Sequence, residues 1–191
     1  SGEVWLDAPP SERAALQRPP AFVAPAFALE ARHNVVGRLA GTGGGRSLIL
    51  NGHVDVVSAE PVSAWTRPPY EGVIERAPAA SGLPWAGARL FGRGAMDMKS
   101  GVVANLYAVA ALKACHIPLG GDVILESVIE EEAGGGGGTL ACFERGYRAD
   151  GFIATEPHWV DVTIAHPGIL YFRITVEGRS AWITPSDLLA S

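Results

Sequence analysis

Three short apolar runs, each closed by acidic or imidazole side chains, constrain this chain more than any other feature of its sequence. Leu48 to Leu50 leads into His53 and Asp55, Val123 to Ile129 into Glu130, Glu131 and Glu132, and Phe152 to Ala154 into Glu156. Short apolar runs rich in β-branched residues are what buried strands require. Between the first two, Val102, Val103, Leu106, Val109, Ala110 and Leu112 recur at helical spacing from Lys99 to Cys115. That pattern predicts a mostly buried helix ending near His116 and Pro118. Thr139 can cap a second helix running to about Arg145. Strand, helix, strand, helix, strand in this order predicts an α/β fold, a central mostly parallel sheet with helices on both faces.

The flanking segments are less regular. His33 to Leu39 reads as a further strand, and Gly41 to Gly45 as a turn into the strand region Arg46 to Val57. Glu60 to Leu90 is Pro-, Trp- and Gly-rich loop chemistry, with short strand pieces around Gly72 to Glu75. Residues 1–32, with Pro9, Pro10, Pro19, Pro20 and Pro25, read as a lead-in segment with little chemistry. Gly168 to Glu177 alternates like a strand with one exposed face and is expected to open a second domain.

The 191 residues suffice for one well-buried core, and 48% apolar with 18% charged residues is a globular composition,. A net charge of −5 without a basic run gives no footprint for nucleic acid or an anionic membrane,. No stretch reaches the roughly 18 apolar residues of a membrane span. Only Cys115 and Cys142 are present, both in helix-like segments, so the expectation is two thiols in a reducing, cytoplasmic setting,.

Open α/β sheets bind ligands beyond the carboxyl ends of their strands. Here those ends carry one imidazole and several carboxylates, and Asp97 joins them from the loop that opens the long helix. Carboxylates gathered at one edge raise each other's pKa unless a cation neutralises them, so a multivalent metal is expected. Mixed nitrogen and oxygen donors favour zinc, then cobalt or manganese. The His53-Val54-Asp55 spacing puts both polar side chains on one face of a strand, where the carboxylate can orient a metal-binding imidazole. Glu131 and Glu132 are neighbours that, on extended backbone, point in opposite directions, so one can bind metal while the other moves protons.

Other chemistries find little support. Gly41 to Ser47 lacks the first glycine and the lysine of a phosphate-binding loop and precedes a strand instead of following one. Gly92, Gly94 and Asp97 do not make a dinucleotide fingerprint. No G-x-S-x-G elbow occurs, and Ser100 has no suited partner. His116, His158 and His166 read as ordinary loop or helix-end histidines, His158 lying two residues from Glu156.

Asn51-Gly-His53-Val-Asp55-Val-Val, Gly92-Arg-Gly-Ala-Met-Asp97-Met-Lys99-Ser-Gly101, Glu130-Glu-Glu132-Ala-Gly134-Gly and Ala154-Thr-Glu156-Pro together resemble the successive metal-site motifs of the M20 metallopeptidases and deacylases. This family takes in acetylornithine deacetylases, succinyl-diaminopimelate desuccinylases, aminoacylases and carboxypeptidase G2-like enzymes. The resemblance covers roughly His33 to Gly178, in order and with compatible spacing. It implies a three-layer catalytic domain over 33–167 and two zinc ions. His53 would be a ligand of one zinc, Asp97 the bridge, Glu132 and Glu156 terminal ligands, one for each ion, Asp55 the orienting residue and Glu131 the general base. Glu130 would be the spare glutamate. The reaction implied is hydrolysis of an amide bond in N-acyl amino acids or small peptides.

Two departures qualify the resemblance. The family has a fifth ligand, a histidine near the end of a chain about twice as long, and nothing up to Ser191 supplies it. The lid or dimerisation domain begins over 168–191 but loses the resemblance after Ala181, where Trp182 comes next. The sequence alone therefore leaves two readings: a metal-dependent hydrolase, a homodimer when its full lid is present, or a metal-binding fragment or degenerate homologue without turnover.

Overall fold

The computed structural model describes residues 3–7, 32–76, 87–158, 161–168 and 172–178. It divides into two compact units, 1–157 and 158–191.

The first unit is built on a five-stranded sheet. In chain order its strands are β1 (Glu3–Asp7), β2 (Asn34–Leu39), β3 (Leu48–His53), β6 (Val123–Val128) and β7 (Gly151–Ala154), arranged β1-β2-β6-β3-β7. A separate hairpin pairs β4 (Val73–Arg76) with β5 (Ala88–Phe91). β3 runs parallel to both β6 and β7, while β2 is antiparallel to β6 and to β1. Only β2 therefore opposes the common direction, and the α/β fold with a mostly parallel sheet stands as expected. β1 lies in the segment read as a lead-in, and its apolar run Val4-Trp5-Leu6 was the available signal. The rest of that segment, 8–31, lies outside the described residues.

Among the described residues two α-helices flank the sheet. α1 spans Ser100–Ala114 and α2 spans Thr139–Glu144. A Cβ at Gly52 would meet Val102 and Met98, so that position of β3 faces α1 and the turn before it. The neighbouring Asn51 side chain faces the Thr139 hydroxyl at 3.3 Å. Successive strand residues point to opposite faces, so α1 and α2 lie on opposite sides of β3. The core fills the α2 side, where Val36, Ile49, Ile124, Val128 and Cys142 pack together with Tyr147 and Ala149 at the margin.

Two local expectations need correction. α1 is not mostly buried: Gly101 and Asn105 are, Val102, Val109 and Leu112 are half-buried, and Val103, Leu106 and Tyr107 are exposed. The helix is apolar all round, so its periodicity could not show which face packs. Thr139 does not cap α2. Gly138 is the residue before the helix, and the Thr139 hydroxyl is turned to Asn51 instead.

In the second unit the described residues, 158, 161–168 and 172–178, form neither helix nor strand. The strand expected at Gly168 to Glu177 is thus absent over its described part, because no neighbouring strand pairs with it among the described residues. Its residues 169–171, and everything after 178, lie outside the described residues. No helix among the described residues is long and apolar enough to cross a membrane, and neither Cys115 nor Cys142 is in a disulfide among the described residues.

Candidate metal centre

Strand direction decides where the chemistry falls. Since β3, β6 and β7 are parallel and adjacent, their carboxyl ends share one edge, and the chain leaving each carries the titratable groups. His53 is the last residue of β3 and is 1% exposed. Its Nε2 lies 3.2 Å from Asp97 Oδ1, 3.7 Å from Glu131 Oε2 and 3.7 Å from Glu156 Oε1. Asp97 comes from a distorted turn, Ala95–Lys99, whose Asp97 and Met98 leave helical geometry just before α1 begins. That irregularity turns the carboxylate toward the sheet edge while Met98 is buried beneath it.

The glutamates arrive on a turn, not on extended backbone. After β6, Glu130 adopts a left-handed conformation with φ 64°, and Glu131 to Gly134 turn back, closed by the Gly134 amide on the Glu131 carbonyl at 3.0 Å. The opposite-facing arrangement expected of an extended pair is therefore replaced by convergence. His53, Asp97 and Glu132 present one donor atom each within 4.8 Å of one another, and so do His53, Glu131 and Glu156. Glu130 points away, buried, with its carboxylate accepting the Gly137 amide at 2.5 Å. The glycine run thus folds over a buried acid, and at Gly138 a Cβ would fall 2.0 Å from the Ile129 carbonyl oxygen.

Asp55 sits between the two halves of this cluster. The His53 Nδ1 is 3.0 Å from the Asp55 main-chain carbonyl and 3.5 Å from its carboxylate. The carboxylate accepts the amides of Glu131 and Glu132, at 3.2 and 3.1 Å.

Electrostatics reflect the crowding. Burial raises the Glu131 and Glu156 carboxyls, the nearby imidazole opposes that, and the surrounding carboxylates add to it. For His53, burial works against the charged ring, but the hydrogen bond to Asp55 and the charges of Glu156, Asp55 and Glu131 outweigh it and lift its pKa. One imidazole among carboxylates pushed toward protonation is a donor set short of positive charge, which a multivalent cation would supply. The chemistry of these residues therefore fits a metal.

Supporting residues hold the edge in place. Asn105 of α1 donates to the Asn51 carbonyl at 3.3 Å and to the Thr155 hydroxyl at 3.1 Å, tying the helix to β3 and to the residue before Glu156. Asn34 donates to the Gly137 carbonyl at 2.8 Å and accepts the Ile129 amide at 3.0 Å. Neither Asn34 nor Asn105 stood out in the sequence. The available signal was a lone uncharged polar residue in an apolar element, which when buried must find partners. His116 and His158 belong to neither donor group among the described residues, and His166 is exposed.

Residues 49–187 match the family model Peptidase family M20/M25/M40. The chain belongs to this family. M20 relatives include an N-formyl-4-amino-5-aminomethyl-2-methylpyrimidine deformylase of Halalkalibacterium halodurans, 38% identical over 146 residues, covering 75% of this chain and 31% of the relative. A probable succinyl-diaminopimelate desuccinylase of Staphylococcus aureus is 32% identical over 154 residues, covering 79% of this chain and 35% of the relative. Among solved structures, the M20 family metallo-carboxypeptidase Sso-CP2 of Sulfolobus solfataricus aligns with a TM-score of 0.52 at 26% identity, covering 64% of this chain and 26% of the other. Human carnosine dipeptidase 1 shares the fold, with a TM-score of 0.55 at 21% identity, 83% of this chain and 30% of its own. This M20 chain spans about a third of the length of the two curated relatives.

Proposed function

We propose that this M20 chain carries a two-zinc centre for hydrolysis of an amide bond in N-acyl amino acids or small peptides. The observation that carries the reading is the convergence of His53, Asp97, Glu131, Glu132 and Glu156 into two overlapping donor groups that share one buried imidazole. His53, Asp97, Glu132 and Glu156 would hold the metal. Bound zinc would polarise the scissile carbonyl and make water a stronger acid. Glu131 takes the proton from the attacking water and passes it to the departing amine nitrogen, a transfer suited to a carboxyl raised above its ordinary range,. Asp55 keeps His53 oriented from behind,.

The relatives' names support an acyl group on nitrogen as the target, since one is a deformylase and another a desuccinylase. The substrate in this reading is a small molecule, which a net charge of −5 without a basic run favours over nucleic acid or an anionic membrane,. Cys115 and Cys142, neither of them in a disulfide among the described residues, fit a cytoplasmic setting,.

Zinc titration and an assay on formylated, acetylated and succinylated amino acids test the reading together. Glu132→Gln is expected to weaken zinc binding about 10- to 100-fold or more, and Glu131→Gln to abolish hydrolysis while zinc still binds. Unchanged zinc binding in Glu132→Gln would overturn the metal site. A second reading, metal binding without turnover by these 191 residues, has its support in the 31% of a relative's length that they span. Hydrolysis by the wild-type chain, lost in Glu131→Gln, decides against it.

A further inference from the structure

We infer that Asp55 is a positioning residue with two separate parts: its main-chain carbonyl fixes the His53 ring, and its carboxylate sets the turn that aims Glu131 and Glu132. The inference rests on the proposed hydrolytic centre, which it deepens, and departs from the simpler view in which the Asp55 carboxylate serves the imidazole.

The distances separate the two parts. A carbonyl oxygen only accepts, so the 3.0 Å contact from His53 Nδ1 requires a proton on Nδ1; Nε2 donates to the Asp97 carboxylate when the ring is charged and is the nitrogen left free to meet a cation when the ring is neutral,. The Asp55 carboxylate is farther from the ring, at 3.5 Å. Its two oxygens are instead divided between consecutive amides, Oδ1 to Glu131 at 3.2 Å and Oδ2 to Glu132 at 3.1 Å. Those amides belong to the two peptide planes that flank the Glu131 Cα. Peptide units are planar, so holding both planes against one carboxylate fixes φ and ψ of Glu131 and hence the direction in which its side chain leaves the backbone. The same grip places Glu132. Such bonds to an ionised acceptor are stronger than neutral ones. The turn needs an external clamp because it comes after a non-glycine residue with φ 64° and runs directly into five glycines, which contribute no side-chain packing,.

The test uses nitrogen-15 NMR of the metal-free 191-residue chain at mildly alkaline pH, with Asp55→Ala and Asp55→Asn. In Asp55→Ala the His53 ring is expected to keep its Nδ1–H tautomer, since the carbonyl remains. The Glu131 and Glu132 amide protons move upfield and exchange faster, and zinc affinity falls about 10- to 100-fold. Asp55→Asn, with one acceptor oxygen, shifts one of the two amides and retains the other. A changed His53 tautomer with both amides unmoved would overturn the inference. If Asp55→Ala fails to fold, Asp55→Asn makes the same comparison. The functional reading fails separately: wild-type chain that binds no zinc refutes it while the tautomer and amide readouts remain decisive for Asp55.

Discussion

Asn51 donates its side-chain amide to Glu126 across the β3–β6 pair at 2.8 Å, and both side chains are buried two residues from the ends of their strands. Burial raises the Glu126 carboxyl, and the Asn51 hydrogen bond opposes this without cancelling it. A carboxyl whose folded pKa lies above its unfolded value contributes stability below the unfolded value and loses it as pH rises through the folded one. Glu126→Gln keeps an acceptor for Asn51 and removes the ionisation. The variant is expected to unfold at a higher temperature than wild type at pH ~8, with the difference closing toward pH ~4. Thermal melts across that range check it, and a constant difference would refute it.

Glu131, Glu156 and His53 are all raised in the metal-free chain. Their contributions share one sign: each is complete below the ordinary value of the group and is lost as pH rises through the raised folded value. A bound cation relieves the repulsion left among the ionised carboxylates. Zinc is therefore expected to raise the melting temperature far more at pH ~8 than at pH ~5, because the ligands must be deprotonated to bind. An equal rise at both would count against the site.

Gly101 sets how closely α1 approaches the end of β7. A Cβ there would fall 2.1 Å from the Thr155 carbonyl oxygen and 2.5 Å from its hydroxyl, and backbone cannot swing away as a side chain can. Gly101→Ala is expected to lower stability by about 1 to 3 kcal/mol in urea unfolding. Because Thr155 precedes Glu156, the same substitution should weaken zinc binding, and an unchanged titration would show the two to be uncoupled.

Asn34 satisfies two buried backbone groups at once, the Ile129 amide and the Gly137 carbonyl. Asn34→Ala is expected to cost about 1 to 3 kcal/mol and to speed amide exchange through Gly134 to Gly138. Asn34→Asp keeps the acceptor for Ile129 and loses the donor to Gly137, so its exchange should rise mainly in the glycine run. Hydrogen exchange monitored residue by residue distinguishes these outcomes.

β3, β6, β7 and α1 were legible as elements because each is an apolar run bounded by turn or polar residues, short for the strands and fifteen residues long for the helix,. The convergence of His53, Asp97, Glu131, Glu132 and Glu156 was legible for a related reason: parallel neighbouring strands must deliver the residues at their carboxyl ends to one edge. The features hidden in the sequence were those set by partners far along the chain. The turn at Glu130 to Gly134 looks extended until the Asp55 carboxylate is brought to it. Strand β1 forms because β2 is there to pair with it. The exposed face of α1 could not be told from its buried face, since both are apolar.

The parallel sheet also bears on how this centre comes into being. Its contacts are distant in sequence, 44 residues from His53 to Asp97, 77 from Asp55 to Glu132 and 103 from Asn34 to Gly137. Apart from the local contact of His53 with the Asp55 carbonyl, no hairpin or lone helix brings these groups together, because closing such long loops goes with the pairing of β3 to β6 and β7,. A cation held there binds the native topology as a whole and stabilises it by mass action. Metal occupancy then reports completed folding, not a local pocket that could outlive the loss of the sheet.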